Sequence, residues 1–312
     1  MPHHAICDLV MGARKGLVAM GRKRTYMSWR TSIIEAAKRK AYLLGIPYSR
    51  YVENLVACDL ASNDKPTILT VANPKWGTGK TTTATYLSIG LGACGKKVLL
   101  IDFDADADAT ILFFGLDALS FKVSVISACE LVAAQNKKAA FVDVIRQTPF
   151  ANVDIAPMDP SFIESGNFYF MGGEHQLALC IESVRGSYDF VVIDTPSGLG
   201  GLFQNAVVAQ RMGGGQSCFI VPWREAEDKW KGLEIMSNHI AAATRYLSLP
   251  ERPIMFLLDS DKVPPELLGK GRFRATMPKG SQSLKGELAI DEEMVSAWIP
   301  VAEEVAAGFN AM

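Results

Sequence analysis

Short apolar runs alternate with longer amphipathic stretches along this chain from Thr67 onward. Each run has four or five residues, and several are bounded by Asp, Pro or Gly. The runs cover residues 68–72, 98–101, 153–157, 190–193, 218–221 and 254–258. Continuous apolar runs of this length are typical of strands that are buried on both faces of a parallel sheet.

The segments between these runs include four with the length and apolar spacing of amphipathic helices. They cover residues 81–93, 175–184, 202–210 and 226–245. Strands that alternate with helices form βα units, so the pattern predicts an α/β fold with a doubly wound, mostly parallel sheet. Residues 291–312 are predicted to form a packed terminal helix. They hold four glutamates and no Lys or Arg, whereas a helix on a membrane surface carries cations on its polar face.

A polar segment that ends in proline, residues 61–66, comes directly before the first apolar run and is the best candidate linker. A chain of 312 residues is longer than a typical single-core domain of about 250 residues. We therefore predict two domains, a small helical N-terminal module over residues 1–65 and an α/β domain over residues 66–312.

Cysteine usage and hydropathy narrow the class of protein. The six cysteines are scattered without a C-x-x-C pair, which argues against a disulfide framework, a zinc site and an iron–sulfur cluster. No uncharged apolar run reaches the length of about 18 residues that a membrane helix needs, and the N-terminus lacks the pattern of a secretory signal. We therefore expect a soluble, cytoplasmic protein without a membrane partner.

Charge is distributed unevenly along the chain. Residues 1–50 hold ten Lys and Arg against two Asp and Glu, a net charge of +8, and the remainder carries a net charge of −9. A basic segment attached to an acidic body suggests a polyanionic partner such as DNA, and the alternative is a basic tail that is merely solvated.

The strand predicted at residues 68–72 leads into a glycine-containing loop and then a helix, which is the context that phosphate binding requires. Glycines let backbone N–H groups turn toward the phosphates, and the helix N-terminus adds a partial positive charge. In this arrangement Lys80 reaches the β- and γ-phosphate oxygens and the Thr81 hydroxyl binds Mg²⁺. The predicted nucleotide-contacting residues are Trp76, Gly77, Thr78, Gly79, Lys80, Thr81 and Thr82.

The loop departs from the general pattern G-x-x-x-x-G-K-[ST], because Pro74 stands at the first glycine. It fits the deviant form K-G-G-x-G-K-T, with Lys75 as the extra lysine and Trp76 in place of the first glycine. The chain thereby resembles the ParA/MinD family of deviant Walker ATPases, nearest to its ParA-type DNA-partition branch, over about residues 67–305. The resemblance implies ATP as the nucleotide and an ATP-bound homodimer. In that dimer Lys75 reaches the partner's nucleotide and stabilises charge on the transferred phosphoryl group.

Two aspartate-bearing strand ends strengthen the resemblance. Residues 102–110 resemble the family segment D-x-D-P-Q-x-N-x-T, in which Asp104 matches the carboxylate that activates the attacking water and Asp102 matches a residue near the metal. Residues 188–196 resemble the Walker B strand, which implies that Asp194 holds the Mg²⁺ shell. Hydrolysis requires a carboxylate within reach of a water in line with the γ-phosphate, whatever the family.

Several residues depart from the family pattern. Ala105, Asp106, Asp108 and Ser197 replace residues that are usual or frequent there, and these changes look tolerable. Trp76 is more serious, because the family has a residue without a side chain where two nucleotide-bound subunits face each other. An indole there either blocks such a dimer or stacks across it, and we favour a dimer that is retained but altered.

The N-terminal module contains a possible DNA-reading strand. Residues 24–30 alternate in character, and a glycine-separated pair of predicted helices follows, an order that resembles the ribbon-helix-helix fold. The resemblance implies that Arg24, Tyr26, Ser28 and Arg30 read bases in the major groove. The alternative is a helical hairpin that packs on the α/β domain.

A second basic segment, residues 270–285, includes Lys270, Arg272 and Arg274. ParA-type ATPases bind DNA non-specifically through basic residues in this part of the chain, so these three are candidate phosphate contacts. Exposed lysines on a surface loop are the alternative.

These observations predict a ParA-like ATPase that couples ATP binding, dimerisation and slow, partner-stimulated hydrolysis to DNA binding, in plasmid or chromosome partition or in DNA transfer. The implied partners are DNA and a DNA-bound stimulating protein. Two alternatives remain: a DNA-binding regulator with a degenerate, non-hydrolysing site, and a maturation or metal-delivery ATPase of the same superfamily.

Overall fold

A computed structural model describes most of the α/β domain. The described residues are 65–115, 121, 124–135, 139–159, 173–223, 229–258, 272–275, 278 and 290–307, together with positions 34–35, 38–39, 41–42, 47–49 and 52. The chain divides into two units, Met1–Ala61 and Ser62–Met312. This division falls inside the predicted linker, and the following description concerns the second unit.

An eight-stranded sheet forms the centre of this unit, with strand order β3-β4-β2-β5-β1-β6-β7-β8. The strands are β1 Thr67–Val71, β2 Val98–Asp102, β3 Arg146–Gln147, β4 Val153–Ala156, β5 Phe190–Asp194, β6 Cys218–Trp223, β7 Ile254–Leu258 and β8 Arg272–Ala275. Neighbouring strands are parallel except for β3, which pairs antiparallel with β4. The predicted α/β fold with a mostly parallel sheet is confirmed.

Eight α-helices connect and cover these strands in the described part of the chain. They are α1 Lys80–Ala93, α2 Asp108–Phe114, α3 Val125–Gln135, α4 Ala139–Val144, α5 Gln176–Ser183, α6 Gly201–Ala209, α7 Lys229–Tyr246 and α8 Glu292–Ala307. No helix among the described residues is both long and apolar enough to span a bilayer.

Helices cover both faces of the sheet, as parallel strands require. On one face α1 and α8 pack together over β1, β2 and β5, around the fully buried Trp298. On the other face α3, α5 and α6 cover the same strands. Helix α7 packs on β6 and β7 through Leu233, Met236 and Ile240. The sheet is therefore enclosed, and its carboxyl-terminal edge is left for the loops that follow the strands.

A glycine permits the close approach of α1 and α8. A Cβ atom added at Gly90 would lie 2.8 Å from Ala302 Cβ and 3.2 Å from the Trp298 carbonyl oxygen. We expect Gly90→Ala to lower the free energy of unfolding by about 1–2 kcal/mol, because overpacking outweighs the gain in helix propensity. Chemical denaturation measures this change. Gly215→Ala is the control, because its Cβ would meet nothing within 4 Å, and a change as large as that for Gly90→Ala would contradict the account.

The structure adds two edge strands to the predicted six. β3 has two residues, and β8 lies in the basic segment for which a surface loop was one of the two alternatives. Arg272 and Arg274 thus belong to an edge strand, whereas Lys270 lies outside the described residues. The terminal helix ends at Ala307, and residues 308–312 of its predicted range lie outside the described part.

Candidate functional site

The loop between β1 and α1 is anchored by Asn73. Its side-chain Nδ2 donates to the Pro222 carbonyl oxygen (2.9 Å), and its side-chain Oδ1 accepts from the Lys75 backbone N–H (3.0 Å). Further along the loop, the Thr78 hydroxyl donates to the Lys75 carbonyl oxygen (3.2 Å). The loop is therefore tied to β6 at its start and folded back on itself before the helix begins.

Two glycines give the loop its turns. Gly77 has φ 71° and Gly79 has φ 85°, both in the left-handed region that a side chain disfavours. Gly79 directly precedes α1, whose first turn contains no acidic residue and has no side-chain cap. The N–H groups of Lys80, Thr81 and Thr82 belong to this uncapped first turn, which is a favourable place for an anion.

Lys80 is buried at the start of α1. Its ammonium donates to Ser197 Oγ (2.7 Å) and to the Lys75 carbonyl oxygen (3.2 Å). Burial lowers the pKa of Lys80, and the negative charges of Asp194, Asp104 and Asp106 oppose this shift. Neither of the two hydrogen-bonding partners carries a negative charge, so the ammonium is suited to a phosphate.

Asp194 ends β5 directly beside β1, with Val71 as its register partner. It is fully buried, and among the described residues the Thr81 hydroxyl is the side chain that interacts with its two otherwise unsatisfied carboxylate oxygens. Burial raises the pKa of Asp194 well above its ordinary value, and Asp102 and Asp104 raise it further, whereas Thr81 and Lys80 act in the opposite direction. A buried carboxylate with so few hydrogen-bond donors is stabilised by a cation. Asp194 with the Thr81 hydroxyl therefore fits Mg²⁺, which binds through one or two protein ligands together with phosphates and water.

Asp102 has a different environment. Its Oδ2 accepts from the Thr110 N–H (2.8 Å) and the Thr110 hydroxyl (2.6 Å), and its Oδ1 accepts from the Asp104 N–H (3.4 Å). The Thr110 hydroxyl in turn accepts from the Met158 N–H (3.0 Å). Both oxygens of Asp102 are engaged by the protein, so this carboxyl group fixes the start of α2. Its predicted place near the metal remains untested.

Asp102 is expected to make stability depend on pH. Burial raises its pKa to about 7, although the Thr110 hydrogen bonds act to lower it. Between about pH 4, where the unfolded carboxyl group ionises, and pH 7 the folded state holds more protons, so stability falls as pH rises. We expect Asp102→Asn to remove up to about 1.4 kcal/mol per pH unit of this slope in nucleotide-free protein, measured by denaturation from pH 4 to 8. An unchanged slope would contradict the assignment.

Asp104 lies just beyond the end of β2, next to the Asp102–Asp194 register pair. Its Oδ1 accepts from the Asp106 N–H (3.2 Å), and Ala107 takes a left-handed conformation (φ 55°) in the turn that leads to α2. Burial raises the pKa of Asp104, and the charges of Asp106 and Asp108 raise it further, against the effect of Lys80. A carboxyl group with a raised pKa close to the phosphate site is suited to accept a proton from water.

Lys75 and Trp76 are exposed on the outer part of the loop, and 71% of the Trp76 side chain is accessible. The structure thus brings together Lys75, Lys80, Thr81, Asp104 and Asp194 at one edge of the sheet, and places Trp76 on its outer surface.

Of the predicted DNA contacts, Arg272 and Arg274 lie on a described element, β8. β8, which carries Arg272 and Arg274, is separated from β1 by β6 and β7, and is therefore roughly 14 Å away across the sheet. Arg24, Tyr26, Ser28, Arg30 and Lys270 lie outside the described residues.

Comparison with known families decides the relationship that the loop suggests. A family profile described as an AAA domain matches residues 66–247, more than half of the chain. The chain belongs to this family. Its relatives show that it is of the ParA/MinD type, as the deviant loop predicts. The chain is 28% identical over 202 residues to the sporulation initiation inhibitor protein Soj of Bacillus subtilis, and the match covers 62% of this chain and 73% of Soj.

A second relative of this AAA-domain chain is the chromosome partitioning protein ParA of Caulobacter vibrioides. It is 32% identical over 148 residues, which cover 46% of this chain and 52% of ParA. The match thus spans about half of that relative's length. The prediction of a ParA/MinD-type P-loop ATPase is confirmed, whereas the activity and partners of the whole protein remain proposals.

Solved structures show the same fold. A plasmid partition protein from Borrelia burgdorferi bound to AMPPNP has a TM-score of 0.60 at 21% identity, covering 78% of this chain and 98% of that one. Cobyrinic acid a,c-diamide synthase from Mycobacterium smegmatis, with bound ADP and magnesium, has a TM-score of 0.60 at 20% identity, covering 79% and 96%. The first of these structures thus contains an ATP analogue, and the second contains ADP and magnesium. A plasmid partition protein and a cobyrinic acid a,c-diamide synthase thus have the same TM-score to this chain, so the fold alone does not identify its function.

Proposed function

We propose that this chain is a Mg²⁺-dependent ATPase of the ParA type, in which ATP binding favours a dimer that holds DNA and hydrolysis releases it. The observation that carries this proposal is the fully buried Asp194 carboxylate, which interacts with the Thr81 hydroxyl, beside the uncapped start of α1 and the buried Lys80. A buried carboxylate favours a cation and an uncapped helix N-terminus favours an anion, and Mg²⁺–ATP supplies both charges.

Four side chains of the site have separate roles in binding and hydrolysis. Lys80 leaves Ser197 and donates to the phosphates, while the first-turn N–H groups of α1 bind the same oxygens. Thr81 and Asp194 hold Mg²⁺, which supplies positive charge at the phosphate oxygens. Asp104 orients the attacking water and accepts its proton, so it has to be ionised, and its raised pKa places the loss of activity on the acidic side.

Lys75 acts on the nucleotide of the second subunit. Its side chain lies on the exposed part of the loop, whereas Lys80 points inward, so the two lysines serve different sites. In a dimer that joins the two loops, Trp76 lies between the subunits, where an indole contributes apolar contact area.

DNA binding is tested with the full-length chain and an unrelated duplex. We expect binding that appears with ATP, weakens steeply with added salt and is absent for Lys80→Ala. If Arg24, Tyr26, Ser28 and Arg30 read bases, their combined replacement by Ala removes the preference for a specific site and leaves ATP-dependent binding to unrelated DNA in place. Equal DNA affinity with ATP, with ADP and without nucleotide would sink the coupling between nucleotide and DNA.

Trp76 supports a second candidate function. If the exposed indole prevents the two loops from meeting, Lys75 cannot reach the second nucleotide, and the chain acts as a nucleotide-dependent DNA-binding regulator without turnover. Steady-state phosphate release decides between the two, because only the ATPase shows turnover that depends on Asp104.

A further inference from the structure

Helix α7 has one face packed on the sheet and an opposite face with exposed apolar side chains. Leu233, Met236 and Ile240 are buried against β6 and β7. On the outer side Ile235 is 52% accessible and Tyr246 is 89% accessible. The exposed Ala242 and the half-buried His239, whose ring lies 6.0 Å from that of Phe203, stand between them at spacings of four, three and four positions, so the four residues form one stripe along the helix. A stripe of this spacing is suited to packing against a second helix.

The stripe starts beside the nucleotide loop. A Cβ atom added at Gly232 would lie 3.2 Å from Pro74 Cγ, so the first turns of α7 lie against the loop that carries Trp76. Pro74 lies where a side chain of Gly232 would begin, so the loop closes this end of the stripe, while Tyr246 is exposed at the other end.

Charges beside the stripe select one arrangement of a helix pair. Glu234 and Arg245 are exposed and lie on the same flank of α7. If α7 packs antiparallel on α7 of a second copy, with the two-fold axis level with His239 and Ile240, Glu234 faces Arg245 of the second copy, and symmetry repeats the pair. A parallel pair related by a two-fold axis would place the two copies of this flank on opposite sides of the interface, so Glu234 could not face Arg245 of the second copy. The antiparallel register also places Tyr246 of the second copy level with Gly232 and Leu233 along the helix axis.

We propose that the exposed face of α7 binds α7 of a second copy of this chain, antiparallel and without nucleotide. In this pairing, Gly232 of one copy and Gly232 of the other are roughly 20 Å apart along the helix axis. The two nucleotide loops beside them are then too far apart for Lys75 of one copy to reach the nucleotide of the other. The α7 surface is therefore distinct from the proposed ATP-dependent interface. A chain with two such surfaces can link ATP-bound dimers into larger assemblies.

The test is sedimentation velocity on the full-length, nucleotide-free chain over a range of concentrations. The surface is small, so we expect weak association, with a dissociation constant of about 10–100 µM. Ile235→Glu with Tyr246→Glu should abolish it. Val142→Glu is the matched control, because Val142 on α4 is 51% accessible, and it should leave association unchanged. Circular dichroism and nucleotide affinity show whether each variant is folded.

Charge exchange provides the sharper readout. Glu234→Arg and Arg245→Glu should each weaken association about 10-fold, and the two changes combined should restore it. A monomer at every concentration, or a combined variant as weak as the single variants, would overturn the proposal. So would association that needs an ATP analogue and ignores the α7 variants, because that result places the only interface at the nucleotide loop. In that case the proposed ATPase cycle is unaffected.

Discussion

Lys80→Met is expected to reduce the affinity for Mg²⁺–ATP by at least about 100-fold without lowering the stability of the nucleotide-free protein. The loss follows from the charge-assisted hydrogen bonds between ammonium and phosphates, each of which contributes about 1.5–3 kcal/mol. Stability is maintained because the buried ammonium is desolvated and its hydrogen-bond acceptors among the described residues, Ser197 Oγ and the Lys75 carbonyl oxygen, are uncharged. Met fills a similar volume and needs no such partners.

Titration with a fluorescent ATP analogue and thermal unfolding without nucleotide measure the two effects of Lys80→Met. Lys97→Met is the control, because Lys97 is exposed beyond the far end of α1. Affinity for ATP equal to that of the unmodified chain would show that Lys80 does not contact the phosphates.

Asp104→Asn is expected to lower the rate of ATP hydrolysis by about 100-fold or more, because general-base catalysis contributes about 10²–10⁴-fold. ATP affinity should change little, since Asn has the same shape and can still accept from the Asp106 N–H. Steady-state phosphate release and nucleotide titration separate the two effects. Unchanged turnover would remove Asp104 from the mechanism, and an unmodified chain without turnover would favour the regulator.

Asp108→Asn is a matched control for Asp104→Asn. It removes a negative charge that raises the pKa of Asp104 and restores the residue of the family pattern. Because the base has to be ionised, activity is lost as pH falls through its pKa. A lower pKa should therefore extend activity toward acid without loss of turnover at neutral pH.

The sequence predicts the interior of the sheet better than its edges. β1, β2, β5 and β6 are buried along almost their whole length, so each appears as a continuous apolar run. The edge strands β3, with sequence RQ, and β8, with sequence RFRA, have no such run. An edge strand is identified by its hydrogen bonds to one neighbour, and hydropathy does not record them.

The same distinction holds for the site. The glycine loop and the aspartates at the ends of β2 and β5 are recognisable because their roles depend on local spacing. Ser197 as a partner of Lys80 was missed, because it is 117 positions away in sequence and reaches the loop only through the sheet. Thr110 gave a usable signal, since it occupies the threonine of the segment D-x-D-P-Q-x-N-x-T. Its bonds to Asp102 explain why that position is a threonine.

Trp76 connects the loop to the proposed dimer. A glycine at this position would leave the two loops free to meet, and the exposed indole determines whether they still do. The central claim is therefore that Lys75 of one subunit completes the nucleotide site of the other despite Trp76.

Mixing two inactive variants tests this claim most directly. Lys75→Ala lacks the lysine that acts on the second subunit, and Asp104→Ala lacks the base in its own site, so neither should hydrolyse ATP alone. In an equimolar mixture, about half of the dimers are mixed and each contains one complete site, so phosphate release should recover to roughly a quarter of the unmodified rate. A mixture as inactive as its components would contradict the account.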